Sequence, residues 1–178
     1  AVSSFTLTFS VANTRYTALS VKATNTGSNQ TFDDASTSNH TITVAGDTTA
    51  STFSPYRHGG YSAYFDGTGD YLTGPSSATI GIGTGDFTIE CWFYATDGTS
   101  IDRGIWETRT DGYPNNSDGL SLTRITETTF RVYGTSQLIV SSATTITNIW
   151  NHLAVVRNSG LLYFFVNGVS QGTSSQSN

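Results

Sequence analysis

The chain has 178 residues, 12% of them charged, and a formal net charge of −5. It is long enough for one domain with its own apolar core, and charged residues stand at about half their usual share of ~25%. Lys22 is the only lysine among eight Lys and Arg in all, and the arginines are scattered, so a nucleic-acid partner is not expected; no apolar run approaches the ~20 residues of a membrane helix, so membrane insertion is not expected either.

Ser, Thr, Gly and Asn take the place of the missing charges. A neutral, hydroxyl-rich surface of this kind suits a secreted or particle-borne protein. Cys91 is the single cysteine, so no disulfide forms within the chain. Its neighbours Trp92 and Phe93 predict a buried thiol that packs as a small apolar residue.

No stretch repeats its apolar residues at helical spacing. Short alternating runs rich in β-branched and aromatic residues, separated by Gly, Asn and Asp, predict an all-β sandwich. Phe5, Leu7 and Phe9 alternate with Thr6, Thr8 and Ser10 and predict a first strand. A second runs through Tyr16, Ala18, Leu19 and Val21. Further strands are expected at His40–Val44, Tyr61–Phe65 and Asp70–Thr73. The strongest is Phe87–Tyr94, with an apolar odd face (Phe87, Ile89, Cys91, Phe93) and a mixed even face (Thr88, Glu90, Trp92, Tyr94). This pattern suits a central strand buried on one side and partly covered on the other.

Beyond it, strands are expected at Gly104–Thr108, Leu120–Ile125, Thr129–Tyr133 and Gln137–Val140. The chain then reads as a hairpin: His152–Arg157, a turn at Asn158-Ser159-Gly160, and Leu161–Val166. Asn167-Gly168 is a type I′ turn dipeptide, and Val169–Gly172 begins the returning strand. The polar loop Asp111–Gly119 joins two strands and has the character of a binding loop on a rigid scaffold.

Three segments carry a family resemblance. They are Arg57–Gly67 with Asp70-Tyr71-Leu72, then Gly83–Phe93, then Trp150–Arg157 followed by Leu162–Gly168. In this order and spacing the chain resembles the laminin-G-like, concanavalin-A-like jelly rolls over roughly Tyr16 to Thr173. Ser54–Tyr61 further resembles copies found in structural proteins of tailed, especially marine, bacteriophages. The resemblance implies an antiparallel two-sheet jelly-roll sandwich spanning residues 16–178, with residues 1–15 as an N-terminal arm or strand. Gly60 and Gly67 are expected in tight turns that need positive φ. Trp92, Trp150 and Tyr163–Phe165 are expected to fill the space between the sheets.

Some members of such folds are glycoside hydrolases, which need two carboxyls at a defined separation. The hydrolase pattern Glu-x-Asp-x-x-Glu is absent. Glu90, Glu107 and Glu127 each lack an acidic neighbour within three residues, and Glu90 is the best single candidate acid. The chain is therefore expected not to be an enzyme. His40, His58 and His152 lack metal-ligand spacing. The resemblance points to calcium at a sheet rim, with Asp33 and Asp34 as oxygen ligands. The other role open to either is to cap a turn. Glycan binding would need an aromatic platform beside polar groups, which Tyr113 with Asn115, Asn116 and Asp118 offers.

The function expected is a structural or display module of a virion (decoration, fibre or appendage) that binds host-surface glycans. The alternative is a carbohydrate-binding adhesion module of a bacterial surface protein or filament. Both place the chain on a virion surface or outside the cell, beside other copies of itself. The family continues with further strands after its Val-Asn-Gly hairpin, and here the sequence stops about ten residues later. Either a longer polypeptide is expected, or completion of the sandwich by residues 1–15 or by a neighbouring subunit in a homo-oligomer.

Overall fold

The computed structural model describes residues 3–9 (by their backbone), 17–23, 31–55, 60–76, 78–96, 102–109, 119–142 and 147–175. Among these the regular structure is all strand: β1 (Ser3–Phe9), β2 (Leu19–Ala23), β3 (Phe32–Asp34), β4 (Thr43–Ala45), β5 (Thr49–Ser51), β6 (Ser62–Phe65), β7 (Tyr71–Thr73), β8 (Phe87–Ala95), β9 (Arg103–Glu107), β10 (Ser121–Thr126), β11 (Thr129–Tyr133), β12 (Gln137–Val140), β13 (Trp150–Asn158), β14 (Leu161–Val166) and β15 (Val169–Ser175). The expected strands appear within a few residues of their sequence bounds. β3 and β5 were not foreseen; each is three residues long, too short for a period of two to stand out.

A nine-stranded sheet runs β15-β14-β13-β8-β1-β2-β3, with β6 and β5 branching from β1. β1 pairs with β8 over its whole length, from Ser3↔Ala95 to Phe9↔Ile89. Its other edge is divided between β6, at Ser3–Phe5, and β2, at Thr8–Phe9. The N-terminal strand is thus an interior strand of the large sheet, paired within its own chain.

The second layer has two parts, a four-stranded sheet β12-β11-β10-β9 and a ribbon β4-β7. The four-stranded sheet packs on the β13–β15 side. Phe130 meets Phe93 edge-on at 5.7 Å and Phe164 at 6.3 Å, and the Ser142 N–H donates to the Gln171 side-chain oxygen. The ribbon lies over the other end of the large sheet. Val44 and Leu72 pack against the core, and a Cβ on Gly74 would touch the Leu19 side chain. Between β7 and β9 is a cleft of about 870 Å³, floored by Leu19, Val21 and Phe93. The molecule is an antiparallel jelly-roll sandwich.

Alternation decides what is buried. On β8, Phe87, Ile89, Cys91, Phe93 and Ala95 are buried, while Thr88, Glu90, Trp92 and Tyr94 are half-buried. Burial pushes the Cys91 thiol far above its usual range, with a smaller push from the Glu90 charge; it packs as the apolar residue expected. The turn between β14 and β15 follows its sequence signal: Asn167 and Gly168 both have positive φ (51° and 78°), as a type I′ turn requires. The aromatic expectation needs correction. Trp92, Trp150, Tyr163 and Phe165 are half-exposed on the outward face of the large sheet, and of that set only Phe164 points into the core. The tryptophan that does line the core is Trp106.

Candidate functional site

The outward face of β8, β13 and β14 carries the most distinctive chemistry among the described residues. Cross-strand partners share a face, so the register sets out its rows: Tyr94 beside Trp150, Trp92 beside His152, Glu90 beside Ala154 and Phe165, and Thr88 beside Val156 and Tyr163. Successive rows are about 7 Å apart.

At one end three rings meet. Phe53, 49% exposed, stacks on Trp150 at 5.3 Å and 28° and meets Tyr94 edge-on at 4.7 Å. Tyr94 and Trp150 are themselves 5.3 Å apart. Phe53 reaches this position because its carbonyl accepts the Ser62 hydroxyl and its N–H donates to Ser51 Oγ, which ties it to β5 and β6. In the next row Trp92 and His152 contact edge-on at 5.2 Å. His152 Nε2 then stands 3.5 Å from Glu90 Oε2, both side chains about one-third exposed. The turn after β14 pins this part of β13: Asn167 Oδ1 accepts the His152 N–H, and the Asn167 N–H donates to the His152 carbonyl. The result is an open aromatic strip with a carboxylate and an imidazole beside it. Ring faces of this kind can cover the apolar C–H faces of sugars, with polar groups at hand for hydroxyls.

The expected calcium ligands behave differently. Asp33 is exposed. Asp34 is 3% exposed, and five donors converge on its carboxylate. Oδ1 accepts the N–H groups of Ser20 and Ser36; Oδ2 accepts the Ser36 hydroxyl, the His40 N–H and His40 Nδ1. Burial raises its pKa, but these bonds from Ser20, His40 and Ser36 outweigh it and hold the carboxyl well below the usual carboxylate range. Five donors leave that carboxylate no acceptor capacity for a cation. In this arrangement Asp34 fixes the Ala35–His40 loop to the start of β2, the geometry of a turn cap.

Three other carboxylates do converge. Asp47, from the turn after β4, meets Asp66 and Asp70, from the turn between β6 and β7, with one oxygen of each within 4.8 Å of the others. Asp70 Oδ1 accepts the Asp47 N–H and its Oδ2 the Asp66 N–H, both at 2.8 Å. The charges of Asp70 and then Asp66 push the Asp47 carboxyl above its usual range. Hard oxygen donors at a sheet rim match calcium chemistry; an ion bound by these three would neutralise their mutual repulsion. In the sequence Asp66 and Asp70 stand in a recognised segment, but Asp47 lies 23 residues before Asp70 and only the β4–β7 pairing brings it in. The residues expected to bind glycan, Tyr113, Asn115, Asn116 and Asp118, lie outside the described residues.

The strand order and the two facing layers define a lectin-type jelly roll. A family model described as the Concanavalin A-like lectin/glucanases superfamily (Laminin_G_3) matches residues 66–178, and the chain belongs to that family. No curated protein and no solved structure matches the chain. Among the described residues no helix is long and apolar enough to cross a membrane.

Proposed function

We propose that the chain is a non-enzymatic carbohydrate-binding module, displayed by a virion or another extracellular surface assembly, whose ligand surface is the aromatic strip of the large sheet. The observation that carries this reading is the Phe53–Trp150–Tyr94 cluster continued by Trp92. These large rings lie half-open on a rigid sheet instead of between the layers. Membership of a lectin and glucanase superfamily supports it.

Binding is favoured over hydrolysis because the ionisable group seen beside Glu90 among the described residues is the His152 imidazole. Asp86 is four residues away along the strand direction, about 13 Å, beyond the ~5–9.5 Å that paired glycosidase carboxyls span. The low charge and hydroxyl-rich composition support the setting on a particle or cell surface. Presentation in several copies would raise avidity for repeated glycans.

Glycan-array screening followed by calorimetric titration tests the reading. Trp92→Ala and Trp150→Ala are each expected to weaken binding at least tenfold, about 1.4 kcal/mol. The melting temperature should fall less than for a buried aromatic. Unchanged glycan affinity in both variants would overturn the proposal. A polysaccharide digest that releases reducing ends and is abolished by Glu90→Gln would make the chain an enzyme instead.

A further inference from the structure

We propose that the cleft between β7 and β9 is a slot for one extended strand of a separate polypeptide, apolar at alternate residues and basic at one end, which joins the two parts of the second layer into a single sheet. The inference is independent of the carbohydrate reading, because the cleft lies on the inward side of the large sheet and shares no residue with the aromatic strip.

The walls of the cleft are strand edges. Every residue of β7 and of β9 lines it, and no residue of β4 or β10 does. β4 and β10 are the ladder partners of β7 and β9, so each wall strand turns its other edge to the cleft. Thr108 shows the alternation on the β9 side. Its N–H donates to the Leu120 carbonyl, which leaves the N–H and carbonyl of Glu107 directed the opposite way, at the cleft. Edges of this kind pair with an added strand. The space also has the size of a strand. Five or six extended residues fill about 800–950 Å³, at ~3.3 Å per residue, ~4.8 Å between neighbouring strands and ~10 Å between layers; the cleft holds about 870 Å³.

The lining sets the chemistry of the guest. Leu19, Val21 and Phe93 form the floor, and Leu72 and Ile105 stand half-buried on the two walls. Every second side chain of the guest, the one turned to the floor, is therefore apolar. Trp106 lines the same cleft at 7% exposure, and its indole N–H is buried without an acceptor. A buried donor goes unpaired only at a cost, and the main-chain carbonyls of a strand beside β9 supply a partner. Gly69 and Asp70 line the cleft just before β7, where Asp70 gathers with Asp47 and Asp66, one oxygen of each within 4.8 Å of the others. A Lys or Arg at that end of the guest relieves their repulsion. Each described strand is already paired within the chain, so none of them is free to fill the slot, and the guest is assigned to another polypeptide.

The test pans a displayed library of random linear hexapeptides on the purified chain with a chelator present, then titrates the enriched sequences as capped synthetic peptides. Enrichment of alternating apolar residues with Lys or Arg at one end is expected, and exchange of that basic residue for Glu should weaken binding about tenfold. N-methylation of single peptide amides then reports on the walls. Successive amides of a strand point to opposite sides. In a slot with two edges, methylation at either of two adjacent central residues should therefore weaken binding by about tenfold or more. A loss at only one of the two would mean addition to a single edge, and a loss at neither would mean side-chain binding in a groove; either result overturns the slot. In proton–nitrogen correlation spectra, the indole peak that Trp106→Phe removes should move when the peptide binds; a peak that stays still overturns the part given to Trp106. No enriched sequence, or enriched sequences without the alternation, overturns the proposal outright. Dissociation of a dimer of the chain by the peptide would put a second copy in the slot and overturn the assignment to another polypeptide. None of these outcomes bears on glycan binding by the strip.

Discussion

Asp34 shows how one side chain can be read in two ways from the sequence and in one from its surroundings. Its five donors come from Ser20, Ser36 and His40, and a carboxylate so surrounded is a structural centre. Asp34→Ala would strand those donors, and a loss of about 3–5 kcal/mol in chemical denaturation is expected. Because its folded pKa is depressed, its contribution is fully present above the ordinary aspartate range and is lost as pH falls below that range and through the depressed folded value. Asp34→Asn should therefore flatten the acid limb of the stability–pH curve. Asp47 has the opposite sign. Its pKa is raised in the fold by Asp70 and Asp66, so its ionisation works against folding as pH rises through the carboxylate range. Asp47→Asn is expected to raise the melting temperature at neutral pH in the presence of a chelator. Millimolar calcium should raise the wild-type melting temperature and do so less in Asp70→Asn; a melting temperature indifferent to calcium would show that the three carboxylates hold none. The acids at 33 and 34 are adjacent and catch the eye in the sequence. The cluster that converges needs residues from two separate turns, which spacing alone does not reveal.

At the scale of elements, β1 carries more of the sheet than an appended arm would. It separates β8 from β2 and β6 and pairs with all three. Leu7 is opposite Cys91 in the middle of the β8 ladder. Leu7→Pro removes a ladder donor from an interior strand, and loss of cooperative folding, seen as a missing thermal transition, is the expected result. A native-like transition in that variant would show that β8 holds the sheet without β1. The alternation of Phe5, Leu7 and Phe9 made this strand legible, and the alternation of Phe87–Tyr94 made β8 legible. What the alternation left open was the use of the even face. A row of large rings there reads equally as a second buried face or as a surface. The answer depends on whether anything packs over it. On β8, β13 and β14 the second layer lies on the other side, at Phe93, Phe130 and Phe164.

For the whole molecule, the two layers meet through a few fully buried rings. Phe164, with no exposed surface, contacts Phe130 of the opposite sheet. Phe164→Ala is expected to cost about 3–5 kcal/mol and to lower a single unfolding transition, since one core serves both layers; two separated transitions would show that the layers fold apart. The sequence by itself determined the strand class, most strand positions, the type I′ turn at Asn167-Gly168 and the buried thiol of Cys91. These follow from local periodicity and backbone preference, which neighbours a few residues apart express without help. The tertiary structure alone decided that Trp92 and Trp150 face outward, that Phe53 joins them, that Asp34 is enclosed, and that Asp47 meets Asp66 and Asp70. Each of these depends on which strands lie side by side and on which side of the sheet the second layer packs. Those are contacts between residues far apart in the chain, and local sequence patterns do not encode them.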